Sequence, residues 1–234
     1  MATIPANSGT IQALLFDTFG TVVDWQSHLS RRLAEVAWRH GRKVDAVALA
    51  KQWRDAYLGS VGVIVAGKRE FVQLDVLLRE GLDSLLAKEQ MEAVTEEERA
   101  ELVAAWHTIP PWPDSAAGLA RLKQRYIIGT LSNGGTRLLT DLAKADGLPW
   151  DVIFGGDTFH AYKPDPATYL GAAALLAVAP SQVVMVAAHN SDLAAARSHG
   201  MRTAFIERTT EDRDHGDWDF VVEGIDGLAA KMLA

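Results

Sequence analysis

Leu14-Leu15-Phe16-Asp17-Thr18-Phe19-Gly20-Thr21-Val22-Val23-Asp24 decides how the rest of the chain is read. It opens as a short apolar run, the mark of a buried strand. Asp17 stands where that run ends, and Gly20 allows the backbone to turn sharply just beyond it. In an open α/β sheet, ligands bind at the carboxyl ends of the strands. An acid at that position faces a substrate. The same residue also reads as a turn aspartate capping the next segment, because Asp close to Gly is common in turns. The segments further along the chain weigh between the two.

The chain has 234 residues, enough for a large core in one domain or in a core domain carrying an insertion. An apolar fraction of 48% is ordinary for a globular protein. The net charge of -7 lacks the general attraction that nucleic acid or an anionic membrane requires. No apolar run reaches the roughly 18–20 residues needed to cross a bilayer. Met1 to Thr10 is short and polar, without the basic and then apolar order of a signal peptide. The absence of cysteine excludes disulfides, thiolate catalysis and cysteine metal sites. A soluble cytoplasmic protein is the expectation. No internal repeat is evident.

Working outward, Ile11 to Phe16 is the first predicted strand. From about Trp25 to Arg42, Leu29, Leu33, Val36 and Ala37 recur at helical spacing. Val44 to Leu58 predicts a second helix, carrying Trp53, Arg54 and Tyr57, with Gly59 and Gly62 breaking it. Phe71 to Leu86 predicts a third, and Thr95-Glu96-Glu97-Glu98 reads as an N-cap followed by first-turn acids. The block closes at Pro110-Pro111-Trp112-Pro113. Beyond it, strands near Tyr126–Leu131, Val152–Phe154, Val183–Val186, Thr203–Ile206 and Phe220–Val222 alternate with helices. That alternation predicts a doubly wound parallel sheet. The expected architecture is an α/β, Rossmann-like core (1–24 and 108–234) with a helical cap (25–107) inserted after the first strand.

Polar residues gather just past the predicted strands: Asp17, then Ser132-Asn133, then Lys163, then His189 to Asp192. Each alone has a plainer reading. Ser132-Asn133-Gly134 suits a turn, Lys163 before Pro164 suits a solvated loop, and Asp192 suits a helix N-cap. Together and in this order, they fit one crevice at the carboxyl edge of a doubly wound sheet.

On Phe16–Thr21, Leu131–Gly134, Tyr162–Tyr169 and Val186–Leu193, the chain resembles the haloacid dehalogenase superfamily, and within it the type II (L-2-haloacid) dehalogenases. The resemblance covers nearly the whole length. Most of that superfamily are magnesium-dependent phosphotransferases with a second aspartate two residues after the nucleophile, where this chain has Phe19. They also carry an aspartate at the position of Ala188. Mg²⁺ takes hard oxygen ligands, so both differences point away from phosphoryl transfer. A magnesium-dependent phosphatase and a non-catalytic binding protein on the same fold stand as the alternatives.

The resemblance implies a hydrolase acting on short L-2-haloalkanoic acids, with neither cofactor nor metal. The Asp17 carboxylate displaces halide from C2, and water hydrolyses the resulting ester to the inverted 2-hydroxy acid. By the same resemblance, Lys163 pairs with Asp17, while Thr21 and Tyr169 orient the carboxylate and the site. Ser132 and the backbone near Thr18 and Phe19 take the substrate carboxylate. Asn133 and Arg54 lie on the halide side, although Arg54 alone also reads as a surface helix arginine. Asp192 positions or activates the water. Asn190 reads either as a site residue or as a turn residue. The family pattern has a serine and an asparagine where this chain has Ala187 and His189. His189 is therefore expected to polarise the water, since histidine does base work near neutral pH, or to narrow the halide pocket toward smaller halogens, fluorine included. The implied partners are a 2-haloacid and a halide ion, with a homodimer as the family-like assembly.

Overall fold

The computed structural model describes residues 10–234, so the polar stretch Met1 to Thr10 lies outside the described residues apart from Thr10. The first strand, β1 (Ala13–Phe16), is fully buried, and its alternation sorts it onto two faces. Leu14 and Phe16 enter one apolar cluster, Ala13 and Leu15 the other. A strand covered on both faces reads as a continuous apolar run rather than an alternating one.

Four helices follow: α1 (Trp25–Arg39), α2 (Ala46–Val65), α3 (Leu74–Lys88) and α4 (Glu96–Ala104), then a 3-10 turn at Ala105–Thr108. Asp24 and Asp45 cap the first two through their side chains, accepting from Ser27 N and Ala48 N. Thr95 and Glu98 form the capping box of α4. The expected break at Gly59 and Gly62 does not occur: α2 continues through both to Val65, with Ala66 as its C-cap before Gly67 at φ +68°. Each glycine costs a helix about 1 kcal/mol, and the burial of Trp53, Tyr57 and Val61 along the same helix exceeds that. The third helix starts three residues later than expected because Val72 is held elsewhere, its carbonyl accepting from Tyr162 Oη at 2.6 Å.

The chain then alternates through α5 (Ser115–Leu122), β2 (Ile127–Leu131), α6 (Thr136–Asp146), β3 (Val152–Phe154), α7 (Gly156–Phe159) and α8 (Pro166–Leu175). It ends with β4 (Val183–Ala187), α9 (Asn190–Ser198), β5 (Arg202–Glu207), β6 (Phe220–Glu223) and α10 (Gly224–Met232). The last helix was not foreseen from the sequence. All six strands are parallel, in the order β3-β2-β1-β4-β5-β6. The order reverses between β1 and β4, where a crevice opens at the carboxyl ends of a doubly wound sheet. One apolar cluster runs without interruption from β1 through Trp53, Trp106 and the leucines of α3. Trp106 meets Phe19, Trp53 and Tyr57 edge-on, with ring centroids 5.3, 5.5 and 5.3 Å away. The helical block is thereby seated directly over the end of β1. No helix among the described residues is long and apolar enough to cross a membrane.

Candidate active site

A cavity of about 340 Å3 opens over the carboxyl ends of β1 and β4. The sheet side supplies Asp17, Phe19, Asn133, Lys163, Tyr169, His189, Ser191 and Asp192, and α2 supplies Arg54, Tyr57, Leu58, Val61, Gly62 and Val65. Polar chemistry thus faces an apolar helical wall, the usual make-up of a small-molecule site.

Asp17 sits at its floor, 7% exposed. Lys163 Nζ donates to its Oδ1 at 3.0 Å. Thr21 Oγ1 donates to its Oδ2 at 3.0 Å, and His189 Nδ1 lies 3.2 Å from the same oxygen. Burial opposes the charge, but the Lys163 ammonium and His189 together hold the Asp17 carboxyl well below the usual carboxylate range. Lys163 also donates to Asp192 Oδ2, and Tyr169 Oη donates to Asp192 Oδ1 at 2.7 Å. The ammonium therefore lies between two buried acids. Burial and the neighbouring Asp17 charge outweigh Lys163 at Asp192 and push its carboxyl upward. Burial disfavours the Lys163 charge, yet the two carboxylates raise it.

The lysine is aimed by its loop. Asn133 Oδ1 accepts from Lys163 N at 2.7 Å, and Asn133 Nδ2 donates to Lys163 O at 3.4 Å. Ser132 Oγ accepts from Gly134 N at 3.2 Å, behind the cavity wall. Thr21 Oγ1 completes its own pair by accepting from Ala188 N at 2.9 Å, tying the end of β1 to the end of β4. The Thr18 hydroxyl is buried without a partner among the described residues, and so is Arg54 Nε. Arg54 projects from α2 over the Trp25 ring, with its guanidinium carbon 4.9 Å from the centroid.

Eight of the twelve residues singled out in the sequence line the cavity, while Thr18, Thr21 and Ser132 stand behind it. Asn190 goes elsewhere. Its amide donates to Asp212 Oδ2 at 3.0 Å and Asp214 O at 2.6 Å, and accepts from Gly216 N and Trp218 Nε1. It fastens the loop between β5 and β6, which is the turn reading rather than the site reading. Asp192 is not a helix N-cap either: α9 begins at Asn190 with His189 in the capping position, which places Asp192 in the first turn.

Glu211 was missed. Its Oε2 lies 2.8 Å from His189 Nε2, and its Oε1 accepts from Trp25 Nε1 at 2.7 Å. Its side chain is 2% exposed. His189 thus stands between two carboxylates. Burial lowers its proton affinity, but the contacts to Asp17 and Glu211 win, pushing its pKa up to about 9. A neutral, water-polarising histidine is therefore not the resting state. Glu211 falls in the charged run Glu207-Arg208-Thr209-Thr210-Glu211-Asp212-Arg213-Asp214, which reads as a solvated loop. Its place after a strand at the carboxyl edge was the one available signal.

Comparison with known proteins gives the family. A model of haloacid dehalogenase-like hydrolases matches residues 11–200. The (S)-2-haloacid dehalogenase 4A of Burkholderia cepacia is 30% identical over 205 residues, 85% of this chain and 84% of that protein. A crystal structure of a defluorinating L-2-haloacid dehalogenase matches with a TM-score of 0.91 at 45% identity, covering 100% of both chains. A phosphoglycolate phosphatase of Neisseria meningitidis is 34% identical over 93 residues, 38% of this chain and 40% of that protein. The chain belongs to the haloacid dehalogenase-like hydrolases and is an enzyme of their (S)-2-haloacid dehalogenase branch.

Proposed function

We propose that this enzyme hydrolyses short L-2-haloalkanoic acids, such as haloacetates and 2-halopropionates, to 2-hydroxy acids with inversion at C2. The observation that carries the reading is Asp17: a buried carboxylate kept ionised at the floor of a cavity, with Lys163 3.0 Å from one oxygen. An ionised, desolvated carboxylate is a nucleophile. It attacks C2, the carbon–halogen bond breaks, and the pair of electrons leaves with halide. Water then attacks the Asp17 ester carbonyl and frees the hydroxy acid.

Substrate binding is assigned to the polar groups left without partners. Arg54 lines the cavity from α2 and its buried Nε has no partner among the described residues, so the guanidinium is suited to the departing halide or the substrate carboxylate. By resemblance the second anion seat falls to the backbone beside Thr18 and Phe19, where the Thr18 hydroxyl is buried without a partner among the described residues, and to Ser132, whose hydroxyl would have to turn from Gly134 N to reach the substrate. Leu58, Val61 and Val65 give the alkyl group an apolar wall. The division into a core (1–24 and 108–234) and a cap (25–107) belongs to this proposal, with α2 delivering Arg54.

Mg²⁺ does not fit the residues present. Phe19 and Ala188 bring no oxygen side chain, and Lys163 Nζ already bonds both Asp17 and Asp192 where a cation would sit. No step is routed through a metal. The test is halide release from the two enantiomers of 2-chloropropionate with EDTA present. Turnover of the L-enantiomer alone, unaffected by the chelator and abolished in Asp17→Asn, is expected. Magnesium-dependent hydrolysis of p-nitrophenyl phosphate in its place would sink the proposal. Fluoride release from fluoroacetate extends the same assay to the smallest halogen, the one named for the 45% identical neighbour.

A further inference from the structure

Glu211 is the feature that the proposed reaction has not used. A buried carboxylate is costly unless it is paired and hydrogen-bonded, and this one has a dedicated seat. Gly20 makes room for it: a Cβ there would come 2.5 Å from Glu211 Cδ. Trp25 Nε1 and Thr210 Oγ1 donate to Oε1 at 2.7 and 3.2 Å. The other oxygen, Oε2, meets His189 Nε2 at 2.8 Å. Glu211 does not line the cavity; it stands behind His189, on the side away from Asp17. The order is Asp17, imidazole, Glu211, and a carboxylate that orients a histidine facing a reacting centre is the logic of a catalytic dyad or triad.

We propose that Glu211 is a positioning residue for His189, and that His189 is the general base of the second half-reaction, the hydrolysis of the Asp17 ester. The proposal rests on the reading that Asp17 forms an ester. In the resting enzyme both ring nitrogens face carboxylates, so both carry protons and His189 cannot accept another. Alkylation changes this. Once Asp17 is esterified, one of the two negative charges holding the imidazolium has gone. Arg54 Nη2, 3.1 Å from His189 Nε2, opposes the remaining positive charge, while Lys163 and Asp192 lie on the far side of Asp17.

The Nδ1 proton then leaves to solvent. It is the single proton that the overall reaction releases as haloacid and water become hydroxy acid and halide. Nε2–H stays on Glu211, which fixes the tautomer with the Nδ1 lone pair directed at the Asp17 carboxyl group. Water adds its oxygen to Asp17 Cγ and gives one proton to Nδ1. The tetrahedral intermediate collapses, the bond from Cγ to the alkyl oxygen breaks, and the remaining hydroxyl proton passes to the departing alkoxide. Asp17 is again a carboxylate and His189 again an imidazolium, so atoms and charge balance. Asp192 is placed less well for this step, because Tyr169 and Lys163 hold both of its oxygens.

The test separates the two halves of the reaction. In single-turnover experiments with enzyme in excess over L-2-chloropropionate, chloride and lactate are measured independently. In Glu211→Gln, chloride release is expected to stay within about threefold of wild type. Lactate formation is expected to slow by about 10²-fold or more, the usual contribution of a general base. The peptide containing Asp17 should then carry the ester adduct by mass spectrometry, and Glu211→Asp should recover part of the lactate rate. If Glu211→Gln does not fold, the same split, smaller in size, is read in Glu211→Asp, which keeps the charge and withdraws it from His189 Nε2. Chloride and lactate slowing together, or lactate unchanged, overturns the proposal. Failure of the ester reading looks different: wild-type enzyme turning over in H2¹⁸O would place the label in lactate and never in Asp17.

Discussion

Replacing Lys163 with methionine removes the ammonium that bonds two buried acids while roughly keeping the length of the side chain. Lys163 is 9% exposed and bonds both Asp17 and Asp192. Breaking a buried ion pair from one side costs about 3–5 kcal/mol, because the remaining charge is left without compensation. That is the expected loss at neutral pH, where both acids have to stay ionised or take up protons. The pH dependence identifies the cause. In wild type the shifts oppose one another, with Asp17 lowered and Asp192 raised. In Lys163→Met the Asp192 carboxyl, already raised, is pushed further up, and Asp17 loses the neighbouring charge that lowers it most while keeping His189. The folded protein then binds more protons than the unfolded chain, so stability falls as pH rises and is recovered as pH falls. Between about pH 6 and about pH 4.5, the variant should recover at least about 1.4 kcal/mol more than wild type, the equivalent of one pKa unit. Urea unfolding followed by tryptophan fluorescence measures both quantities. A deficit under about 1 kcal/mol at neutral pH, or parallel pH curves for the two proteins, would refute the idea that Lys163 compensates this pair.

Three further outcomes follow from the same contacts. His189, raised from 6.5 to about 9, contributes stability that is full below about pH 6.5 and lost as pH climbs through about 9; the loss is on the order of 3 kcal/mol, and urea midpoints across that range should show it in wild type but not in His189→Asn. Gly20→Ala forces a residue with φ +87° into the left-handed region and a Cβ against Glu211, so about 1–2 kcal/mol of backbone strain should appear as a lower Tm, with a lower His189 pKa by ¹⁵N NMR. Trp106→Ala empties the point where Phe19, Trp53 and Tyr57 converge, with an expected cost of about 3–5 kcal/mol by urea unfolding and a collapse of the near-UV dichroism.

The parallel sheet was legible because strands buried on both faces leave uninterrupted apolar runs, and the short polar segments after them mark the carboxyl edge. Asp17, Lys163 and Asp192 were found through those strand ends, and their packing around one ammonium confirms that the strand ends meet. Local rules failed where tertiary contacts overrode them. Gly59 and Gly62 look like breakers, yet burial along α2 carries the helix on to Val65. Asn190 sits in the motif, but the β5–β6 loop takes its amide, a contact made with residues more than twenty positions away. Gly20 announces a turn, and nothing local announces that it also vacates space for an acid nearly two hundred residues later.

Charge accounting ties the site together. Asp17, Asp192 and Glu211 stand against Lys163, His189 and Arg54, and the formal charges cancel when all six are ionised. Displacement of halide by Asp17 would move a negative charge without creating one: the carboxylate becomes a neutral ester as the halogen becomes an anion. Catalysis of such a step needs cations already placed on the path of the moving charge. Lys163 holds the starting point, and Arg54, 3.8 Å from Glu211 and with Nε still unpaired, is the cation free to hold the end point. His189 lies between them, beside Asp17 at 3.2 Å and Arg54 at 3.1 Å. It is the one member of the set whose protonation follows where the charge has gone. That makes a histidine at this position, with a buried glutamate behind it, more than a spatial substitute for a neutral amide. In the proposed reaction it would couple the loss of charge on Asp17 to the appearance of a base beside the ester.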